Sequence, residues 1–392
     1  MRKSLAGDGT VRSTGSGSEE RALRGGRSRN DGLDLLRSFA ILLVLVSHFG
    51  GGVTYAAGIG VPLAVFVPGY FGVELFFILS GFLIGNLLFD IAERDVSPRA
   101  LGIFLLRRAM RTMPVYFLCL MALVVIAPPL HPSTTLPLFA VFAQNLAWPF
   151  PEFWFPVTWS LTIEEWFYLS FSAFMIGATA FWPGKGPWIA IGTYLFVPLI
   201  VRLLVAPDLG WDDHIRKLVI TRLDAIAYGV ALAGILRKSD FLNRRAIRCF
   251  AIGLAMLFAI AAYWLLVIQK WNIDGYFWRT FIFNLTGIGF ALVFPIALRV
   301  RLQPGGPVRQ VVLAISAWSY GLYLVHLSIL VQVSTWLDDG PVRASAALLL
   351  ALLGSFVLAW LLHICVEKPI LSRRPRQFSD AERSGPAAPT PA

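Results

Sequence analysis

Ten stretches of this chain are apolar over close to the roughly 20 residues that a helix needs to cross about 30 Å of hydrocarbon. They fall near 33–51, 69–90, 113–130, 158–181, 188–206, 217–236, 246–268, 277–298, 310–334 and 343–366, most of them joined by short polar or Gly/Pro-rich connections. In lipid every backbone N–H and C=O must be paired within the protein, so stretches of this kind close into helices. With 57% hydrophobic and only 15% charged residues, the composition lies outside that of soluble domains. The expected fold is an all-α membrane protein of about ten transmembrane helices.

An eleventh apolar segment, 136–148, is short and set among Pro132, Pro137, Pro149 and Pro151, which points to an interfacial or re-entrant piece. If it does not cross, three basic loops share one side with both tails. These carry Arg107, Arg108 and Arg111, then Arg237, Lys238, Arg244 and Arg245, then Arg299, Arg301 and Arg309. The opposite loops are acidic or neutral, as at Asp212 with Asp213 and Asp338 with Asp339. Lys and Arg favour cytoplasmic loops, so both termini are expected in the cytoplasm. Residues 1–30 and 371–392 read as disordered tails around a single membrane domain at 31–370, with the first span as its own signal. In a soluble protein a net charge of +11 would prompt a search for nucleic acid. Here the basic residues sit in the tails and alternate loops, which removes that reading. Cys119, Cys249 and Cys365 are isolated in apolar segments and read as packing residues, without disulfide or metal spacing.

Ionisable side chains inside spans are expensive and mark functional candidates. Arg37 and His48 are eleven residues apart, which on a helix is about three turns with roughly 20° of drift, so they share a face. Snorkelling of Arg37 and an interfacial His48 explain the pair equally well. Glu74 enters an apolar helix beside Ser80 and Gly81, whose small side chains suit close packing. In the fourth span Ser160 is a candidate helix cap, and Glu164 with Glu165 fall in the first turns, where the helix dipole favours them. Adjacent residues point about 100° apart, so one of the two must face protein or a cavity. Arg222 and Asp224 are too close in sequence to pair along one face and need partners on other helices. Tyr320, Tyr323 and His326 follow at three-residue steps. Under this topology His48, Glu74, Glu164, Glu165, Arg222, Asp224 and His326 all fall in the outer half, which implies one shared polar site. A second group, Asp34, Arg37, Arg107, Arg108 and Arg111, is basic enough on the cytoplasmic side to receive a phosphorylated ligand.

Seven segments then form an ordered set: DLLRSFAILLVLVSH, GVELFFILSGFLI, FLLRRAMRTMP, WSLTIEEWFYL, RLDAIAYG, SYGLYLVH and EKP with Glu367 and Pro369. The chain resembles the acyltransferase-3 family of membrane-bound O-acyltransferases, which modify bacterial glycans and some secondary metabolites, over roughly residues 31–370. The resemblance implies transfer of an acyl group, commonly acetyl, from acyl-CoA as co-substrate to a hydroxyl of a carbohydrate or glycosylated acceptor. It implies no bound cofactor or metal, and a place in the bacterial inner membrane. It makes His48 the essential histidine with Arg37 as companion, and assigns donor binding to Arg107, Arg108 and Arg111. Leu35, Glu74 and Trp166 depart from the residues usual in the family. On chemical grounds His48 is a general base. Glu74, Glu164 or Glu165 would orient it, Tyr323 or Arg222 would steady the oxyanion, and Asp224 and His326 would complete the acceptor side. Direct transfer and an acyl-histidine intermediate both fit. The rival classes are a proton-coupled transporter, in which the same residues would relay protons, and a scaffold for glycan export.

Overall fold

The computed structural model describes residues 29–205, 210–268, 275–333 and 340–377, all of it helix or irregular connection with no strand among them. Most of the two expected tails, and the Asp338–Asp339 loop, lie outside the described residues.

In chain order the helices are α1 (Asp31–Ala56), α2 (Phe66–Arg94), α3 (Pro98–Ile126), α4 (Pro132–Ala140), α5 (Thr158–Phe181), α6 (Gly186–Val205) and α7 (Asp224–Lys238). They continue as α8 (Phe241–Arg244), α9 (Ala246–Tyr263), α10 (Tyr276–Ala297), α11 (Pro307–Gln332), α12 (Pro341–Leu362) and α13 (Lys368–Ser372). The start signals are local. The Asn30 side chain accepts from the N–H of Gly32 and Leu33 at 3.0 and 3.2 Å, and Ser97 caps α3 ahead of Pro98.

Eight of these helices are long and apolar enough to cross a membrane: α1, α2, α3, α6, α9, α10, α11 and α12 with their short extensions. The protein is a multi-pass membrane protein. Its outward faces carry bare hydrophobic side chains such as Met121, Val125 and Phe258, as a lipid solvent allows. Two expected spans fall short of that standard. α5 has the length but not the apolarity, and α7 has only 15 residues.

Two expectations about local structure change and a third holds. Arg107, Arg108 and Arg111 lie inside α3 and not in a loop, because the helix starts at Pro98 and runs through Pro114. The expected span at 217–236 becomes helical only at Asp224. Before it, the N–H groups of Val219 and Ile220 bond the carbonyls of Asn145 and Leu146 at 3.0 and 3.2 Å, so Arg222 sits in a non-helical turn. The segment 136–148 holds only the end of α4, whose 9 residues reach about 14 Å, too short to cross. The chain beyond it folds back with Gln144 and Asn145 fully buried.

The basic connections gather at one end of the bundle. There Asn30 bonds the Leu298 carbonyl at 3.1 Å, Arg309 pairs with Asp31 at 2.9 Å and Arg237 pairs with Asp90 at 2.9 Å. Residues 371–377, expected in a disordered tail, are packed here: Gln377 donates to the Ala100 carbonyl at 2.9 Å and Arg107 to that of Pro375. At the centre α2 crosses α7 with almost no space between backbones. A Cβ on Gly81 would lie 2.0 Å from the Ile226 carbonyl oxygen, and one on Gly229 2.2 Å from that of Ile78. The small-residue surface of α2 is therefore a helix-packing device.

Candidate active site

α1, α2, α3, α5 and α11 enclose a cavity of about 110 Å³ whose polar lining includes Arg37, Arg108, Arg111, Glu164, Ser80 and Tyr168. Three guanidinium groups face one carboxylate there. Arg37 is held by Asp34 at 3.6 Å and donates to Ser316 Oγ at 3.3 Å. Asp34 is itself gripped by Arg29 at 2.6 Å and by the Ser316 hydroxyl at 2.6 Å. Arg108 lies over the Tyr168 ring at 6.0 Å, and Ser80 and Tyr168 share a hydrogen bond of 2.6 Å. Of the three arginines assigned to the donor, Arg108 and Arg111 line the cavity. Arg107 turns toward the chain end.

The neighbouring carboxylates separate as their angular offset requires. Glu164 faces the cavity, whereas Glu165 accepts from Thr112 Oγ1 at 2.6 Å. Ser160 does not cap α5, which starts after Val157 without a side-chain cap. Instead the Ser160 hydroxyl meets the Tyr323 hydroxyl at 2.7 Å. Both line the cavity wall, with Phe76 set edge-on to Tyr323 at 6.2 Å between ring centroids. The Tyr323 ring is in turn 6.0 Å from that of His326. The Tyr323 ring thus belongs to the cavity wall and also packs beside one of two paired histidines.

His48 Nδ1 and His326 Nε2 are 2.9 Å apart, joining α1 to α11. His326 is completely buried, and its Nδ1 lies 2.8 Å from the Leu322 carbonyl oxygen. Among the described residues no carboxylate hydrogen-bonds to either ring, and the partner of His48 is an imidazole, not Glu74, Glu164 or Glu165. Nor does Arg37 meet His48, despite their shared helix face.

Of the other charges expected in one outer site, Glu74, Arg222 and Asp224 are neutralised in pairs. Glu74 accepts from Arg222 at 2.6 Å, and the Arg222 guanidinium lies 3.7 Å from the Phe283 ring centroid. Asp224 pairs with Arg202 at 2.6 Å with neither side chain exposed, and Asn284 donates to Asp224 at 3.4 Å. Arg222 and Asp224 do find partners on other helices, as their spacing demanded. These pairs take the Glu74 and Asp224 carboxylates away from His48 and tie Arg222 Nη2 to Glu74. Tyr323 keeps its hydroxyl on Ser160. Polar groups expected at one depth therefore form separate clusters.

Beyond the helices, Arg216 pairs with Asp212 at 2.6 Å and stacks over Trp159 at 4.8 Å. Burial opposes ionisation of Asp212, but Arg216 and Lys217 more than offset it and hold its carboxyl down to about 2.

Sequence reasoning missed Arg202, Ser80 as a hydroxyl partner of Tyr168, and Arg216. Arg202 stands near the end of an apolar run, where an arginine looks like a snorkelling residue. The acidic pair Asp212–Asp213 ahead of Arg216 and Lys217, four residues on, was the readable signal for the last.

Residues 30–364 match a sequence family described as "Acyltransferase domain". The chain belongs to this acyltransferase family. The peptidoglycan O-acetyltransferase OatA of Listeria monocytogenes is 26% identical over 379 residues, covering 90% of this chain and 57% of that protein. The putative peptidoglycan O-acetyltransferase YrhL of Bacillus subtilis is 26% identical over 89% of this chain and 56% of its own. The O-acetyltransferase OatA of Staphylococcus aureus is 26% identical over 89% and 58%. The chain spans little more than half the length of these curated relatives. No solved structure matches it. In this acyltransferase domain, five of the ordered motifs supply residues that line the cavity, and those on α1 and α11 also supply the histidine pair. RLDAIAYG holds two of the buried charges, and in EKP Glu367 bonds His363 at 2.8 Å.

Proposed function

We propose that the protein is a membrane O-acetyltransferase that takes an acetyl group from acyl-CoA and transfers it to a hydroxyl of a cell-surface glycan. One observation carries this reading. Arg37, Arg108, Arg111 and Tyr323 line one cavity, and the Tyr323 ring lies 6.0 Å from that of His326, which pairs with His48. Guanidinium groups suit the phosphates of a CoA donor. An imidazole beyond them suits removal of the proton from an acceptor hydroxyl, whose ordinary pKa makes it a poor nucleophile. The names of the relatives favour a peptidoglycan-like acceptor.

In this reading α5 and α7 cross as well, giving ten spans. The basic end, which holds both termini of the described chain, faces the cytoplasm of a bacterial inner membrane. Arg37, Arg108 and Arg111 hold the donor, and Glu164 balances them until it arrives. His48 is the base. The two buried ion pairs keep α2, α6, α7 and α10 in register around the site.

The test is transfer of labelled acetyl from acetyl-CoA to muropeptides or surface polysaccharide by protein reconstituted in nanodiscs. Product from wild type, with its loss in His48→Ala at unchanged membrane insertion, is the expected result. Wild-type turnover by His48→Ala removes His48 from the mechanism. Proton-coupled solute uptake without consumption of acetyl-CoA replaces the enzyme with a transporter.

A further inference from the structure

His326 was assigned above to the acceptor side by its position alone, and its contacts define a different task. Its Nδ1 lies 2.8 Å from the Leu322 carbonyl oxygen. A carbonyl oxygen only accepts, so the proton of the neutral ring must be on Nδ1; a bare Nδ1 would set two lone pairs against each other. His326 Nε2 is then an acceptor. It lies 2.9 Å from His48 Nδ1, which must therefore carry the His48 proton. By elimination His48 Nε2 is bare. No side chain or backbone group among the described residues bonds to that nitrogen, and His48 is only partly buried.

We propose that His326 is a positioning residue that holds His48 in the Nδ1–H tautomer and makes Nε2 the reacting nitrogen. The inference rests on the acetyl-transfer reading for its chemical consequence, but the tautomer assignment stands on the geometry alone. The role is the one a buried carboxylate fills in serine hydrolases, where the orienting group fixes which imidazole nitrogen is free. Here the orienting group is neutral, so no buried charge has to be compensated beside His48. The device is anchored in the helix itself, because the Leu322 carbonyl belongs to the same turn of α11 as His326. In the reaction the acceptor oxygen bonds to the acyl carbon as Nε2 takes the hydroxyl proton. The C–S bond breaks, and the departing thiolate receives that proton from Nε2. Throughout, Nδ1–H stays directed at His326. The charged group whose field acts on His48 is Arg216, and Tyr323 packs against His326 from its own helix.

Two variants separate positioning from bulk. Glutamine at 326 offers Oε1 to the Nδ1–H of His48, whereas phenylalanine fills the space with nothing to accept it. Replacing His326 by Phe is expected to lower kcat by about 100-fold or more, the scale of a misdirected general base, with KM for acetyl-CoA unchanged. His326→Gln is expected to recover most of that loss. Both variants are compared with wild type by gel-filtration profile and thermal midpoint, so that misfolding is seen as such. Independently of activity, ¹⁵N NMR of histidine-labelled wild type in nanodiscs, with His48 assigned through His48→Gln, should show a protonated Nδ1 and a bare Nε2. A proton on His48 Nε2 overturns the proposal. So does wild-type kcat in a folded His326→Phe, or a folded His326→Gln no better than Phe. If wild type transfers no acetyl at all while the NMR pattern holds, the reaction reading fails and the tautomer assignment survives.

Discussion

Replacing Asp224 by alanine is expected to be the most damaging single truncation among the ion pairs, and its size follows from what is left behind. The Asp224 carboxylate takes Arg202 Nη1 at 3.0 Å and Nη2 at 2.6 Å, and neither side chain has exposed surface. Without it, Arg202 keeps the carbonyls of Thr280 and Thr221 and the amide oxygen of Asn284. These are dipoles, and they do not cancel a charge. Removing one partner of a fully buried pair costs about 3–5 kcal/mol. Asp212 gives the contrast: it pairs with Arg216 while its side chain is 48% exposed, and exposed pairs contribute at most about 1 kcal/mol. Asp224→Ala should therefore lower the thermal midpoint several times more than Asp212→Ala. The double variant Arg202→Met with Asp224→Leu should recover more than half of the loss, because an apolar pair leaves no stranded charge. Unfolding in detergent can be followed by dye labelling of Cys249, which is buried in the native fold. Equal shifts for the two aspartates, or a double variant no more stable than Asp224→Ala, would refute the reasoning.

Gly81→Val should sharply lower both yield and thermal midpoint, since even its Cβ would lie 2.0 Å from a backbone oxygen and overpacking costs about 1–3 kcal/mol or more. Gly102→Val, with nothing within 4 Å of its Cβ, is the silent control in the same expression and melting assays. Tyr323→Ala removes the ring that lines the cavity and packs beside His326, so acetyl-CoA hydrolysis without acceptor should rise, whereas Tyr323→Phe keeps the wall and should leave hydrolysis low; thiol release measures both. Asp212 titrates near 2 against an ordinary 3.8. Its contribution to stability is therefore complete above that ordinary value and lost as pH falls toward 2. Because the side chain is half exposed, the effect should stay under about 1 kcal/mol and shrink in high salt, as melts of wild type and Asp212→Asn across this range would show.

How far the sequence foretold the fold depends on which property is asked for. Apolar length places α1, α2, α6, α9, α10, α11 and α12 close to their observed positions, because lipid leaves a long apolar segment no alternative to a helix. It fails where local backbone chemistry decides. The apolar run at 113–130 puts the start of α3 too late, because FLLRRAMR carries three arginines, yet Leu, Ala, Met and Arg are all good helix formers and Ser97–Pro98 supplies the start. The turn before α7 looked helical because it is apolar. It is held in another shape by hydrogen bonds from Val219 and Ile220 to residues 145 and 146, partners about seventy positions away in sequence.

The site shows the same limit more sharply. Loop charge and span order give only an expected depth in the membrane, which puts His48, Glu74, Glu164, Glu165, Arg222, Asp224 and His326 in one half. Depth says nothing about azimuth. The crossing of α2 and α7 at Gly81 and Gly229 brings Glu74 to Arg222, and α6 brings Arg202 to Asp224, so those carboxylates are neutralised before any can reach His48. A carboxylate left unpaired in a low-dielectric interior is costly. Each is therefore drawn to whichever guanidinium packing places nearest. Histidine escapes this sorting because its neutral ring both donates and accepts, and two such rings satisfy one another without a charge. That is why His48, in the motif on α1, has as its partner a residue whose own motif, on α11, gives no sign of the contact.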